Sequence, residues 1–121
     1  MSEYTPHNWV VIKFTQQVKS GNTGYGRTEK VFYKVLGGWS GGYLDGDAWR
    51  MNSGITRVEK DTDAWKFYGS SGSCYECRMN NYMLRMNNAH VWADLQERYG
   101  DKVEMMPEDT DWLTVDWVIE D

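Results

Sequence analysis

Apolar and polar residues alternate with a period of two through much of the chain, and this pattern is typical of β-strands. The segment NWVVIKFT at positions 8–15 is the first such strand, and KVFYKVL at positions 30–36 is the second. The second segment carries apolar side chains on both of its faces. Because both faces then need to be covered, we predict that this strand is central in its sheet.

Further strands follow at short intervals. ITRVEK (55–60) and AWKFYG (64–69) are joined by the polar stretch DTD, which predicts a hairpin. GSSGS predicts a turn into a strand over CYECRM (74–79), and the Asn pair at 80–81 predicts a turn into YMLRM. KVEMM and WLTVDWVIE are predicted to close the chain as strands around the turn PEDTD. The predicted buried face of the last strand consists of Leu113, Val115, Trp117 and Ile119.

The period changes to that of a helix near residue 88, which predicts one helix over residues 88–99. Asn88 is a suitable N-cap, and Gly100 stands where a helix often ends in a left-handed residue. The predicted apolar stripe of this helix consists of Val91, Trp92, Leu95 and Tyr99.

The segment GGWSGGYLDGDAW at positions 37–49 contains five glycines, and we predict a long structured loop there. Aromatic side chains on such a loop are candidates for stacking on a ligand, with a neighbouring arginine as hydrogen-bond donor. The alternative is that the aromatic residues only pin the loop onto the sheet. The candidate binding residues are Trp39, Tyr43, Trp49 and Arg50.

Short strands, tight turns and one helix predict a mainly β protein of the α+β class, folded as a single domain over residues 1–121. We expect an antiparallel curled sheet or a small open barrel with the helix across one side. A flat sheet with the helix packed on it is the alternative. Edge strands of either form can pair with a second copy, so a homo-oligomer is an open alternative.

Charge is distributed unevenly around the formal net value of −5. Residues 1–102 carry all 13 Lys and Arg against 11 acids, whereas residues 103–121 carry seven acids and no base. Net negative charge disfavours non-specific nucleic-acid binding, which depends mainly on Lys and Arg. The acidic end is expected to be a solvated face, with docking of a basic partner or mimicry of nucleic-acid charge as alternatives.

The hydropathy pattern predicts no membrane segment, because no stretch reaches the roughly 18 to 20 apolar residues that span a bilayer. The N-terminal segment MSEYTPHNWVV lacks the pattern of a signal peptide, so we expect a cytoplasmic protein. In a reducing compartment the two cysteines are expected to be thiols.

The two cysteines begin the one spacing that resembles a metal site. Cys74, Cys77, His90 and Asp94 spell C-x2-C-x12-H-x3-D, which is close to a zinc finger with a carboxylate as its fourth ligand. A continuous strand would point Cys74 and Cys77 to opposite faces, and only a knuckle turn would bring their sulfurs together. Our main interpretation is therefore two ordinary strand cysteines, with no metal or other cofactor.

The stretch YKVLGGWSGGYLDGDAWRMNSGITRVEKD, followed by FYGSSGSCYECR, resembles small uncharacterised proteins encoded by marine bacteriophages, over roughly residues 31–78. The succession of short strands with a GS turn before a last strand is also similar to Sm-like or SH3-like small barrels. That resemblance implies a binding fold, and the Sm-like family usually binds RNA in rings of subunits.

No acid, base and nucleophile are brought together by their spacing, so we do not expect an enzyme. The sequence favours a non-enzymatic binding module with a protein partner, such as a phage accessory protein that acts on a host protein in the host cytoplasm. RNA or single-stranded nucleic-acid binding by an Sm-like barrel is the first alternative. A module supported by zinc at Cys74, Cys77, His90 and Asp94 is the second.

Overall fold

The computed structural model describes residues 3–19, 27–42 and 46–117. Eight strands and one α-helix are found in these ranges, with short 3-10 turns on either side of the helix. The strands are β1 (Glu3–Tyr4), β2 (Asn8–Lys19), β3 (Arg27–Gly42), β4 (Gly46–Met51), β5 (Ile55–Lys60), β6 (Ala64–Gly69), β7 (Cys74–Arg78) and β8 (Val103–Met105), and the helix α1 spans Met86–Tyr99.

The strands form two four-stranded sheets. One sheet has the order β1-β7-β6-β5 and the other β4-β3-β2-β8. All strand pairs are antiparallel except β1 with β7, which is parallel. The predicted mainly β, largely antiparallel fold with one helix is confirmed, and in the described ranges the strands do not close into a barrel. No helix of the described residues is both long and apolar enough to cross a membrane.

Strand β3 lies between β4 and β2, so its predicted central position is confirmed. Over residues 9–12 of β2 and 33–36 of β3, buried side chains lie on both faces of the sheet. Alternate residues of the two strands point into two different cores, as the period of a strand requires. The first core lies between the sheets, and Trp9, Val35, Phe67 and Trp112 are buried in it. The second core lies under the helix, where Ile12 and Leu36 meet Val91 and Leu95.

The helix begins at Met86, two residues before the prediction, and Asn88 lies inside its first turn. The Asn88 side-chain oxygen still caps the helix, because it accepts a hydrogen bond from the Arg85 backbone N–H at 2.8 Å. Gly100 ends the helix with a φ of 58°, and its N–H bonds to the carbonyl oxygen of Gln96. The local signals of the sequence therefore located both ends of the helix to within two residues.

A buried cluster of three asparagines holds the start of the helix on the sheet. The Asn8 amide nitrogen donates to the side-chain oxygens of Asn87 and Asn88 at 3.0 and 3.1 Å. The Asn87 amide returns a bond to the Asn8 oxygen at 2.8 Å and donates a second one to the Ser40 hydroxyl. A side chain on Gly38 would not fit here, because its Cβ would lie 2.0 Å from the Asn87 oxygen.

Three sequence predictions differ from the structure. Residues 37–49 are not a long loop, because β3 continues to Gly42 and pairs with β4. YMLRM forms no strand and contributes only an isolated bridge between Tyr82 and Trp9. Residues 112–117 are turn and coil rather than a strand, and Trp112 is buried where Leu113 was expected to be, whereas Val115 and Trp117 pack against the first core as predicted. Ile119 lies outside the described residues.

Candidate functional site

The hairpin of β3 and β4 places the predicted binding residues on opposite faces of the sheet. Gly37 pairs with Arg50 and Trp39 with Ala48, so Trp39 and Arg50 share one face, whereas Trp49 points to the other. Tyr43 lies outside the described residues. The four predicted residues therefore do not form one surface.

Trp39 and Arg50 both contact the N-terminal strand. The Trp39 indole N–H donates to the Thr5 carbonyl oxygen at 3.1 Å, and its ring meets that of Tyr4 edge to face. The Arg50 guanidinium stacks over the Tyr4 ring at 4.6 Å. Trp39 thus fastens β1 to the sheet, whereas Arg50 is an exposed residue. Trp49 is 46% exposed on β4, which is an edge strand.

The zinc-like spacing does not produce a metal cluster. No three of the His, Cys, Asp and Glu side chains in the described ranges lie close enough to hold one ion. Cys74 and Cys77 are buried free thiols of β7, and the Cys77 Sγ contacts the Tyr75 carbonyl oxygen at 3.7 Å. Burial raises the pKa of both thiols, that of Cys77 well above its ordinary value. His90 is exposed, with Nδ1 beside the Met86 carbonyl oxygen.

The residue after β4 has an unusual hydrogen-bond pattern. Asn52 is only 3% exposed, and its backbone N–H donates to the Val35 carbonyl oxygen at 3.1 Å. Its side-chain oxygen accepts from the Val35 N–H at 2.9 Å, which fixes the orientation of the amide group, since a nitrogen could not accept there. The amide nitrogen is buried and has no hydrogen-bond partner among the described residues. A buried donor without an acceptor costs about 1 to 3 kcal/mol.

A turn rich in serine lies beside Asn52. The Ser53 hydroxyl accepts bonds from the Ser71 backbone N–H and the Ser70 hydroxyl and donates to the Ser71 hydroxyl at 3.1 Å. The chain of hydroxyls continues to Ser73 at 3.5 Å. The glycine of this turn, Gly72, has a φ of 91°. The hydroxyls are thus held together as one group.

This cleft lies where the two sheets meet and has a volume of about 740 Å³. Asn52 and the hydroxyls of Ser53, Ser71 and Ser73 line it, and Arg50 and Lys34 add two cations. Tyr75 also lines it, and burial raises the pKa of this phenol to about 12, although the Arg50 charge acts in the opposite direction. The phenol therefore stays protonated near neutral pH and is a further hydrogen-bond donor.

Two more clefts adjoin the first one around Lys34. One has a volume of about 400 Å³ and contains Phe14, Phe32 and Lys102, and the other, of about 380 Å³, contains Phe32 and Lys30. Lys34 lines all three clefts. The rings of Phe14 and Phe32 are parallel, with centroids 5.1 Å apart, and the Lys34 Nζ lies within 5.9 Å of both.

We call the three adjoining clefts the cationic surface. Lys30, Lys34, Arg50 and Lys102 line it, and none of its described lining residues is an aspartate or glutamate. Where side chains are described, none of these four cations forms an ion pair with a carboxylate. The chain as a whole carries 18 acids and 13 bases, so this surface is positively charged on a chain of net negative charge.

Sequence reasoning identified Arg50 but missed the rest of this surface. Lys34, Asn52 and the serine turn come from different parts of the chain and carry no motif. The SSGS stretch was a signal only for a turn. The one available clue was that Lys34 interrupts the otherwise apolar run VFYKVL of the central strand, since charged side chains are rarely buried without a partner.

Comparison with known proteins adds no family assignment. No protein-family model matches this chain, and no match was found among curated proteins or solved structures.

Proposed function

We propose that this chain is a non-enzymatic binding protein that holds an anionic group of its ligand in the cleft between Arg50 and the serine turn. The observation that carries the proposal is that Asn52, a residue that lines this cleft, has a buried amide nitrogen with no hydrogen-bond partner among the described residues. A bound oxyanion would accept a hydrogen bond from this nitrogen. Binding would therefore remove the free-energy cost of the unpaired donor.

The charges around the cleft favour the same ligand chemistry. Lys34 and Arg50 line the cleft together with serine hydroxyls, and no described acid lies beside them. Charged donors form stronger hydrogen bonds to oxyanions than neutral donors do, and an arginine can bind two oxygens at once. Phosphate, sulfate and carboxylate groups fit this set of donors, whereas a cationic ligand would be repelled.

The test is a titration with inorganic phosphate at constant ionic strength, followed by the NMR signals of the side-chain amides. We expect saturable binding that shifts the Asn52 amide signal, and we expect Arg50→Gln and Lys34→Gln to weaken the binding. Lys60→Gln is the matched control, because Lys60 loses the same charge but lies over Trp65, away from the cleft. Absence of saturable binding, or equal weakening by the control, would contradict the proposal.

A second candidate function is interaction with a protein partner through the β4 edge. It is favoured by the half-exposed indole of Trp49 on an edge strand, since large exposed aromatic groups often anchor protein contacts. A complex that survives nuclease treatment and is lost in Trp49→Ala would support it. Leu113→Ala is the control, because Leu113 is exposed to a similar degree elsewhere. A complex equally stable in both variants would exclude this edge, and a dimer lost in Trp49→Ala would identify the partner as a second copy.

A further inference from the structure

We infer that the ligand of the cationic surface is a nucleotide, with its phosphate in the cleft beside Arg50 and its base on the ring of Phe32. This inference rests on the proposed anion site and names the class of ligand. It depends on the position of Lys34, which lines the anion cleft and also lies over the paired rings of Phe14 and Phe32.

The ring of Phe32 is placed to accept a planar group. It stacks on Phe14, and Phe14 in turn meets the edge of Tyr99 and packs against the core under the helix. Phe32 itself packs against neither core cluster and lines two of the clefts. Strand β4 does not cover it, because its pairing with β3 ends at Leu36 and Met51. Stacking on aromatic rings accepts any nucleobase, since every base has a π-face.

Distance and charge connect the two halves of the ligand. The Lys34 Nζ lies 5.8 Å from the Phe32 centroid, so a phosphate bound by Lys34 would leave the attached sugar and base next to that ring. Lys30 and Lys102 line the flanking clefts, where they would meet neighbouring phosphates if the nucleotide belongs to a single strand. A simple anion such as a carboxylate would use the cleft but leave the aromatic pair without a role.

The experiment compares four probes by calorimetry at one salt concentration and repeats the oligonucleotide titration over a series of salt concentrations. The probes are a nucleoside 5′-monophosphate, ribose 5-phosphate, the free nucleoside and a short single-stranded oligonucleotide. We expect the nucleotide to bind about tenfold or more tightly than ribose 5-phosphate, the range that one stacked base contributes. Phe32→Leu should remove this advantage and Phe32→Tyr should keep it, while the unfolding midpoint of each variant reports its folding.

The outcomes separate this inference from the proposed function. Equal affinity for nucleotide and ribose 5-phosphate would overturn the inference and leave the anion site standing. No binding of either phosphate would overturn both. The oligonucleotide arm distinguishes the two sources of a nucleotide. Tighter binding of the oligonucleotide, with a salt dependence that falls by about 0.7 in Lys34→Gln but not in Lys60→Gln, supports a single strand, and equal affinity supports a free nucleotide.

Discussion

Asn52 extends the sheet beyond the end of β4 by forming two hydrogen bonds with Val35. Its backbone N–H donates to the Val35 carbonyl oxygen at 3.1 Å, and its side-chain oxygen accepts from the Val35 N–H at 2.9 Å. The side-chain oxygen thus takes the place of the backbone acceptor that a further strand residue would provide. The amide nitrogen is directed away from the hydrogen bonds between the strands.

The first prediction concerns this pair. Asn52→Ala leaves the buried Val35 N–H without an acceptor, so we expect the free energy of unfolding to fall by about 1 to 3 kcal/mol. Urea denaturation measures the change. Asn80→Ala is the control, since Asn80 is exposed and should change stability by less than about 0.5 kcal/mol.

Asn52→Asp keeps the oxygen that Val35 needs, and we expect it to abolish phosphate binding because a carboxylate replaces the free donor. If Asn52→Asp left the phosphate affinity unchanged, Asn52 would not be part of the phosphate site.

The second prediction concerns the fit of Gly38 against the asparagine cluster. Gly38→Ala would place a Cβ 2.0 Å from the Asn87 oxygen, so the helix start must shift, and we expect a loss of about 1 to 3 kcal/mol. The clash needs the Asn87 side chain, which makes the two sites interdependent. The double variant Gly38→Ala/Asn87→Ala should therefore be little less stable than Asn87→Ala alone. If the free-energy losses of the two single variants simply add up in the double variant, the clash with Asn87 is not the cause of the loss in Gly38→Ala.

The third prediction is a loss of stability at alkaline pH that depends on Tyr82. The Tyr82 hydroxyl donates to the Met106 carbonyl oxygen and accepts from the Val11 N–H, and burial raises its pKa from 10.0 to about 12. The folded state therefore holds the phenolic proton more tightly than the unfolded chain does. Its contribution is complete below about pH 10 and is lost as the pH rises towards about 12.

Tyr82→Phe tests this dependence. At neutral pH the variant should lose about 1 to 3 kcal/mol, because the backbone N–H of the buried Val11 and the carbonyl oxygen of the half-buried Met106 lose their partner. Between about pH 10 and 12, its stability should fall less steeply than that of the unmodified chain, with the slope that remains due in part to Tyr75, whose pKa burial also raises. Tyr99→Phe, at an exposed position, should keep the full slope. Identical slopes in all three proteins would contradict the assignment.

The fourth prediction concerns the two thiols. Because burial raises the pKa of Cys74 and Cys77, the reactive thiolate is scarce in the folded protein. We expect a thiol reagent at about pH 8 to label the folded chain far more slowly than the chain unfolded in urea. Fast labelling of folded protein by two equivalents would contradict this.

Added zinc should leave the melting temperature unchanged, whereas a rise that Cys74→Ser abolishes would restore the zinc hypothesis.

Local patterns predicted the elements whose signals lie close together in the chain. The hairpin of residues 55–69, the turn before Cys74 and the helix up to Gly100 are confirmed because alternation, turn residues and caps act over a few positions. The glycine-rich segment was mistaken for a loop, since glycine carries no strand signal of its own. There the structure needs glycine for space, with Pro6 and Asn87 filling the positions where side chains of Gly37 and Gly38 would lie.

The sequence by itself determined a mainly β chain with one helix and a central strand buried on both faces. Only the tertiary structure decided that the strands divide into two sheets, because that depends on which partners pair across long separations. It also assembled the cationic surface, whose residues Lys34, Asn52 and Ser71 are distant in sequence. Their proximity follows from the end of β4 and the packing of the second sheet against the first, and no local pattern encodes it.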